Sequence, residues 1–159
     1  MKGTFLRSLL WLAIGGWIGA WAFFAFVVSR IAFQVLPGDI AGDLAGDLLS
    51  VLHVGGAVAA VVIAGANRAL GRRGWVVFLP LILGVACAAS EIFLSPAVAA
   101  VRPSTLGVES TMEAQQRFRL LHGASLGLFM TIHAASIALL VLISRQDALE
   151  APSTGGSRP

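Results

Sequence analysis

Residues 9–29 read LLWLAIGGWIGAWAFFAFVVS, a run without a single charged side chain. About 20 apolar residues, each rising 1.5 Å in a helix, cross the ~30 Å hydrocarbon core of a bilayer. Lys2 and Arg7 precede the run as they would in a secretory signal peptide, but the apolar region of such a peptide spans only about 7–15 residues. The stretch therefore predicts a membrane-spanning helix over residues 9–36, which Pro37 stops.

The whole chain has the composition of a membrane protein. Of its 159 residues, 57% are hydrophobic and 12% are charged, and the mean hydropathy is +0.87. Soluble domains carry about 25% charged residues, so this chain has too few polar side chains to cover a soluble globule. Its 11 basic residues form no cluster interleaved with aromatics, which argues against a nucleic-acid partner. The single cysteine, Cys87, excludes an intramolecular disulfide.

Three further apolar runs predict three more spans. We expect an all-α integral membrane domain over residues 1–145, a compact bundle of four transmembrane helices. Its spans are predicted at about 9–36, 49–67, 75–94 and 120–143. Residues 146–159 are polar and rich in Gly, Ser and Pro, so we expect a disordered cytoplasmic tail there.

Between the first two spans the dipeptide Gly-Asp recurs at four-residue spacing from Gly38 to Asp47. The helical period places the three aspartates on one face and aliphatic residues on another. A calcium loop would instead place its oxygens at alternate positions around a sharp turn. We therefore expect a short amphipathic helix in the membrane interface, separate from the spans.

The second predicted span is built almost entirely from small residues, reading VLHVGGAVAAVVIAGAN over residues 51–67. Small side chains let helix backbones approach closely, and packing contacts are what hold helices together in lipid. This pattern predicts a central helix that packs against the fourth span.

The basic residues predict the orientation. If the N-terminus is cytoplasmic, the inner segments hold seven Lys or Arg and the outer segments four, with the densest inner group in the turn after the second span. The excess of positive charge inside favours both termini in the cytoplasm, in a cell (inner) membrane.

Three ionisable side chains are predicted at one depth near the outer surface. His53 lies about one turn into the second span, Glu91 about one turn from the end of the third, and His122 in the first turn of the fourth. Ionisable groups in lipid are costly and usually face the bundle interior. Imidazoles with a carboxylate suit a transition metal, or Glu91 could set the charge of a histidine that handles protons. Alternatively, each group reaches the headgroups independently, or one hydrogen bond simply joins two helices.

The fourth span carries a polar stripe. His122 and His133 are eleven residues apart, which is three turns, and the stripe reads His122, Ser125, Phe129, His133, Ser136. Two b-type haems would need matching histidines on another helix, and only His53 is left, so one haem is conceivable and two are not. A hydrogen-bonded stripe facing the second span is the favoured interpretation.

Three short motifs resemble those of a known family. Residues 33–37 read FQVLP and are followed by Ala41-Gly42, residues 90–96 read SEIFLSP, and residues 118–125 read FRLLHGAS. They resemble the F-R-x-L-P…A-G, N-x-x-W-L-x-P and F-x-x-x-H-G-x-S elements of the transmembrane protein 205-like family, also known as the domain of unknown function 4149. The resemblance implies a four-span membrane protein without a defined activity. Residues 11–16, which read WLAIGG, and the scattered intramembrane histidines show a weaker likeness to copper-resistance D-type membrane proteins, which implies copper or haem handling.

These observations favour a non-enzymatic membrane protein acting as a structural, accessory or transport-related component. The chain has no P-loop, GxGxxG or HExxH motif, so we expect no enzyme activity and no cofactor. The alternatives are a metal- or haem-binding protein using His53, Glu91 and His122, and a small transporter that works as an oligomer. The expected partners are the lipid bilayer and a second copy of the chain or another membrane protein.

Overall fold

The computed structural model describes residues 2–102 and 111–150, and within them four helical segments are long and apolar enough to cross a membrane. This described part contains no strand. The predicted fold class, an all-α membrane protein of four spans, is confirmed.

The first span is a continuous helical rod over Lys2–Val35. It comprises α1 (Lys2–Phe23), a π-helical turn (Phe24–Val28) and α2 (Ser29–Val35). The helix begins seven residues before the predicted start, because its polar first turns need no place in hydrocarbon and nothing in them breaks a helix. It ends one residue before the predicted stop.

The second span is one helix, α3, over Gly38–Ala69. Pro37 precedes its first residue, where a missing N–H removes no helical hydrogen bond. The Gly-Asp segment forms the first three turns of this helix and is not separated from the span by any break. The expectation of a separate interfacial helix is therefore wrong, since glycine weakens a helix without ending it.

The third span follows a turn that requires glycine. Gly71 and Gly74 adopt φ values of 80° and 76°, a left-handed conformation that other residues rarely take. Next come α4 (Trp75–Ala89), a π-helical turn (Ser90–Leu94) and α5 (Ser95–Ala99), which continue one another. The span thus extends five residues past its predicted end at residue 94.

The fourth span is the long helix α6, over Met112–Glu150. It begins eight residues before the predicted start and continues through residues 146–150, which were expected to be disordered. That expectation is wrong for these five residues because two of their acidic side chains bind arginines of the bundle. The rest of the predicted tail, residues 151–159, lies outside the described residues.

The closest helix packing joins the second and third spans. A methyl group added to Gly84 would lie 2.7 Å from the Ala60 side chain, so the two backbones approach as closely as small residues allow. The first span covers α3 on another side, while α6 packs on α4 and α1. Among the described residues, α3 and α6 do not pack directly, so the predicted contact between the second and fourth spans is wrong.

The outer surface of the bundle is apolar. Large hydrophobic side chains such as Val61, Val85 and Phe93 are 64–72% exposed along the spans. In water such a surface would aggregate, whereas in a bilayer it faces acyl chains. The chain is therefore a membrane protein whose polar groups gather inside the bundle and at its two ends.

Candidate functional site

A cleft of about 280 Å³ opens at the end of the bundle where α3 begins. The second, third and fourth spans contribute its walls. Its lining includes the polar side chains of Asp47, Ser50, Glu91, Ser95, Arg102 and Ser125. A cleft with several convergent polar groups in an otherwise apolar bundle is a candidate functional site.

Glu91 lies at the wall of the cleft and receives hydrogen bonds from two spans. Its Oε1 accepts a 2.7 Å bond from the Ser50 hydroxyl, and its Oε2 accepts a 3.2 Å bond from the Ser95 hydroxyl. The same Oε2 lies 3.4 Å from Nδ1 of His53. The carboxylate is 28% exposed while the imidazole is 1% exposed, so the pair joins the cleft to the interior.

Local helix geometry places these groups together. Ser50 and His53 are three residues apart, so they share one face of α3. Glu91 belongs to the π-helical turn at Ser90–Leu94, where the Ser95 N–H bonds the carbonyl of Ser90, five residues back. Pro96 explains the wider turn, because it has no N–H for the carbonyl four residues earlier and its ring pushes that carbonyl away.

The interior side of His53 rests on aromatic rings. Trp21 of the first span meets the imidazole edge-on with ring centroids 5.8 Å apart. Trp21 is in turn stacked on Phe129 of α6 at 4.6 Å. The imidazole is therefore held between the carboxylate on the cleft side and an indole on the core side.

Arg102 explains the Gly-Asp repeat. Its guanidinium lies along α3, donating a 2.6 Å hydrogen bond to the carbonyl of Gly42 and lying 3.2 Å from the Asp43 carboxylate. A side chain at Gly46 would collide with that guanidinium. The glycines thus form a trough for an arginine that closes one side of the cleft.

A second polar cluster lies at the other end of the bundle, and we call it the ion network. Arg72, whose side chain is 1% exposed, donates to Glu150 through both Nε and Nη2 at 2.8 Å and also to Asp147. Arg7 donates a 2.9 Å bond to Glu150, and Trp11 donates a 2.8 Å bond to Asp147. The hydrogen bond to Glu150 raises the pKa of Arg72, so its buried guanidinium stays charged.

The sequence did not reveal this network. The basic turn after the second span and the polar segment predicted as a tail give no sign that Arg72 pairs with Asp147 and Glu150. The available signal was the spacing of Asp147 and Glu150, three residues apart and hence on one face if the last helix continues.

Of the predicted site residues, the structure brings His53 and Glu91 together and leaves His122 apart. His122 is exposed and stacks on Phe118 of its own helix, with ring centroids 5.3 Å apart. No three His, Cys, Asp or Glu side chains within residues 2–102 and 111–150 group closely enough to hold a metal. The expected three-residue site is therefore wrong, because helix rise sets the depth of His122 but not its direction around the axis.

The residues of the polar stripe of α6 lie in different surroundings and do not form one site. Ser125 lines the cleft, whereas the Ser136 hydroxyl donates a 2.7 Å bond to the carbonyl of His133 in the same helix. His133 is half-buried and its Nδ1 has no partner among the residues described. Phe129 of the stripe packs on the first span. Among the described residues α6 does not pack directly on α3, so the prediction that the stripe faces the second span is wrong, although Ser125 shares the cleft with Ser50.

Comparison with known proteins gives one match. The family model described as Domain of unknown function (DUF4149) matches residues 12–105, which hold Ser50, His53 and Glu91. No curated protein and no solved structure matches the chain. The motif at residues 118–125 lies outside the matched range, and the likeness to transmembrane protein 205 stays a prediction.

Proposed function

The chain belongs to the DUF4149 family, and because that family has no defined function, we propose an activity from the geometry of the cleft. We propose that the protein is non-enzymatic and transport-related, and that the His53–Glu91 pair takes up protons from the cleft. The observation that carries the proposal is a buried imidazole 3.4 Å from a carboxylate that lines the cleft.

The chemistry of the pair supports proton handling. An imidazole can gain or lose a proton near neutral pH, and a neighbouring carboxylate stabilises its charged form. The hydroxyls of Ser50 and Ser95 donate to the carboxylate and can turn to accept when it is protonated. Because ionisable groups within spans are costly in lipid, their presence beside a cleft favours a functional role over a purely structural one.

A structural role makes a different prediction, and Glu91→Gln separates the two. The amide keeps the size and hydrogen-bonding capacity of the side chain but cannot carry a charge. A bond that only joins two helices would therefore survive the substitution, whereas proton uptake would not. Glu113→Gln is the matched control, since this exposed carboxylate lies at the start of α6 and does not line the cleft.

The experiment uses the full chain reconstituted into liposomes that enclose a pH-sensitive dye. After an external pH step, we expect faster equilibration with the protein than in empty liposomes. Glu91→Gln should return the rate to that of empty liposomes without a change in thermal unfolding, and Glu113→Gln should keep the parent rate. The proposal fails if the parent moves no protons, or if Glu91→Gln moves them equally well.

We also propose that both termini face the cytoplasm from the cell (inner) membrane. Lys2, Arg7, Arg68, Arg72 and Arg73 all belong to the end of the bundle that holds the ion network, and this supports the assignment. The cleft then opens on the outer side.

A further inference from the structure

The cleft and the ion network occupy opposite ends of the bundle. Along α3, Ala69 lies 19 positions after Ser50, which corresponds to a rise of about 29 Å, close to the ~30 Å thickness of a hydrocarbon core. Arg72 follows this helix end by three residues. One end of the bundle is therefore open to a polar cleft, while the other is closed by charged groups.

The ion network joins three separate parts of the chain. Arg7 and Trp11 come from α1, Arg72 from the turn between α3 and α4, and Asp147 and Glu150 from the last turns of α6. Every contact with the two acids crosses between elements, so the network exists only when these ends are drawn together. Asp147 and Glu150 remain 19% and 30% exposed, so water can replace the arginines if the ends part.

Polar atoms without partners lie between the two ends. The indole N–H groups of Trp17 and Trp21, and Nδ1 of His133, are buried with no hydrogen-bond partner among the described residues. Trp17 and Trp21 follow Trp11 of the network along α1, and His133 lies between Ser125 of the cleft and Asp147 on α6. Unpaired buried donors are costly, and water entering the interior would satisfy them.

We propose that the ion network is a gate that closes the far end of a path leading inward from the cleft past His53. Separating Arg72 from Asp147 and Glu150 opens that end, and water then reaches the unpaired donors of the interior. The proposal rests on the proposed function in one respect, which is that the cleft is the entrance of the path at the end of the bundle away from the ion network. It adds that the two openings are on opposite sides of the membrane.

Cys87 supplies a built-in reporter for this path. It is the only cysteine in the chain, its exposed fraction is 0%, and it lies beside Trp17 across the gap left by Gly56. A thiol in that position reacts with a polar maleimide only when water reaches the interior. The full chain in sealed vesicles of known orientation is treated with a membrane-impermeant maleimide from one side at a time.

Arg72→Gln and Arg73→Gln form a matched pair, since both remove one positive charge from the same turn but Arg73 is exposed. For Arg72→Gln we expect Cys87 labelling from the network side to accelerate about tenfold or more, because loss of a buried charged contact shifts an open–closed equilibrium at least that far. Labelling from the cleft side should stay at the parent rate, as should both rates in Arg73→Gln. Asp147→Asn alone, which leaves Arg72 the carboxylate of Glu150, is a near-isosteric and milder second test should Arg72→Gln not fold.

Unchanged labelling in a variant with native helicity and a single elution peak overturns the gate. Equal acceleration from both sides does so too, because it reports general loosening of the bundle. Glu91→Gln keeps the two proposals apart, since it should stop proton uptake without altering the labelling of Cys87. If the protein moves no protons but Cys87 labelling is side-specific, the gate stands without the proton site. If protons move but the labelling is not side-specific, the gate is overturned and the proton site stands.

Discussion

Gly56 of the second span faces Trp17 of the first so closely that a methyl group on the glycine would lie 3.0 Å from the indole Nε1. The same methyl group would lie 3.1 Å from Sγ of Cys87 on the third span. Three helices therefore meet at Gly56, and they can approach one another this closely because glycine has no side chain.

Gly56→Leu should destabilise the bundle by about 1–3 kcal/mol, because the added side chain must displace an indole and a thiol. The free energy of unfolding in detergent measures this. Gly55→Leu is the matched control, since a side chain there meets nothing within 4 Å and faces outward. Equal stability of the two variants would show that the second span does not pack as described.

Two truncations test the ordered end of α6. A chain ending at Glu150 should keep the stability of the parent, because the ion network is intact. A chain ending at Arg145 should lose about 3–5 kcal/mol, because it leaves the buried guanidinium of Arg72 without its carboxylates. Equal unfolding curves for the two chains would contradict a structural role for residues 146–150.

The trough for Arg102 predicts non-additive substitutions. Gly46→Val should push the guanidinium out and lower stability by about 1–3 kcal/mol, through loss of its bonds to Gly42 and Asp43. Arg102→Gln should have a similar effect, and the double variant should cost little more than either single one. Costs that simply add in this double-mutant cycle would show that the two residues act independently.

Reporter fusions test the proposed orientation. An enzyme that is active only outside the cytoplasm should remain silent when fused after Glu150, and it should be active when fused after Arg102. The reverse pattern would place the cleft on the cytoplasmic side. Activity at both positions would contradict a membrane crossing by α6, which lies between them.

Much of the fold could be predicted from the sequence because hydrophobic run length is a direct physical requirement of the bilayer. The four spans follow from it, and the first span ends just before Pro37 as expected. The ends of the helices were less predictable. Polar residues of α3 and α6 continue the helices past the apolar runs, and only tertiary contacts such as Arg102 with Asp43 show why.

The depth of the candidate site in the membrane could be predicted, but the direction in which each side chain points around its helix axis could not. Helix rise correctly placed His53 and Glu91 at one level, and the cost of an unpaired carboxylate brought them together. The same reasoning failed for His122, because rotation about the axis of α6 depends on which side chains pack against α1 and α4. The buried state of Arg72 was likewise hidden, since nothing in a basic turn shows that one arginine points inward and its neighbour Arg73 outward.

The ion network also has a consequence for the order of assembly. The carboxylates that accept from Arg72 lie 75 and 78 residues further along the chain, in the last turns of α6. At about 5–20 residues per second, a ribosome needs roughly 4–15 s to reach Asp147 after it has added Arg72. During that interval the guanidinium remains in water or among headgroups, and the first three spans cannot adopt their final arrangement at that end. The network therefore closes only when synthesis has reached the last helix, so a chain that terminates before Asp147 leaves Arg72 without its carboxylate partners.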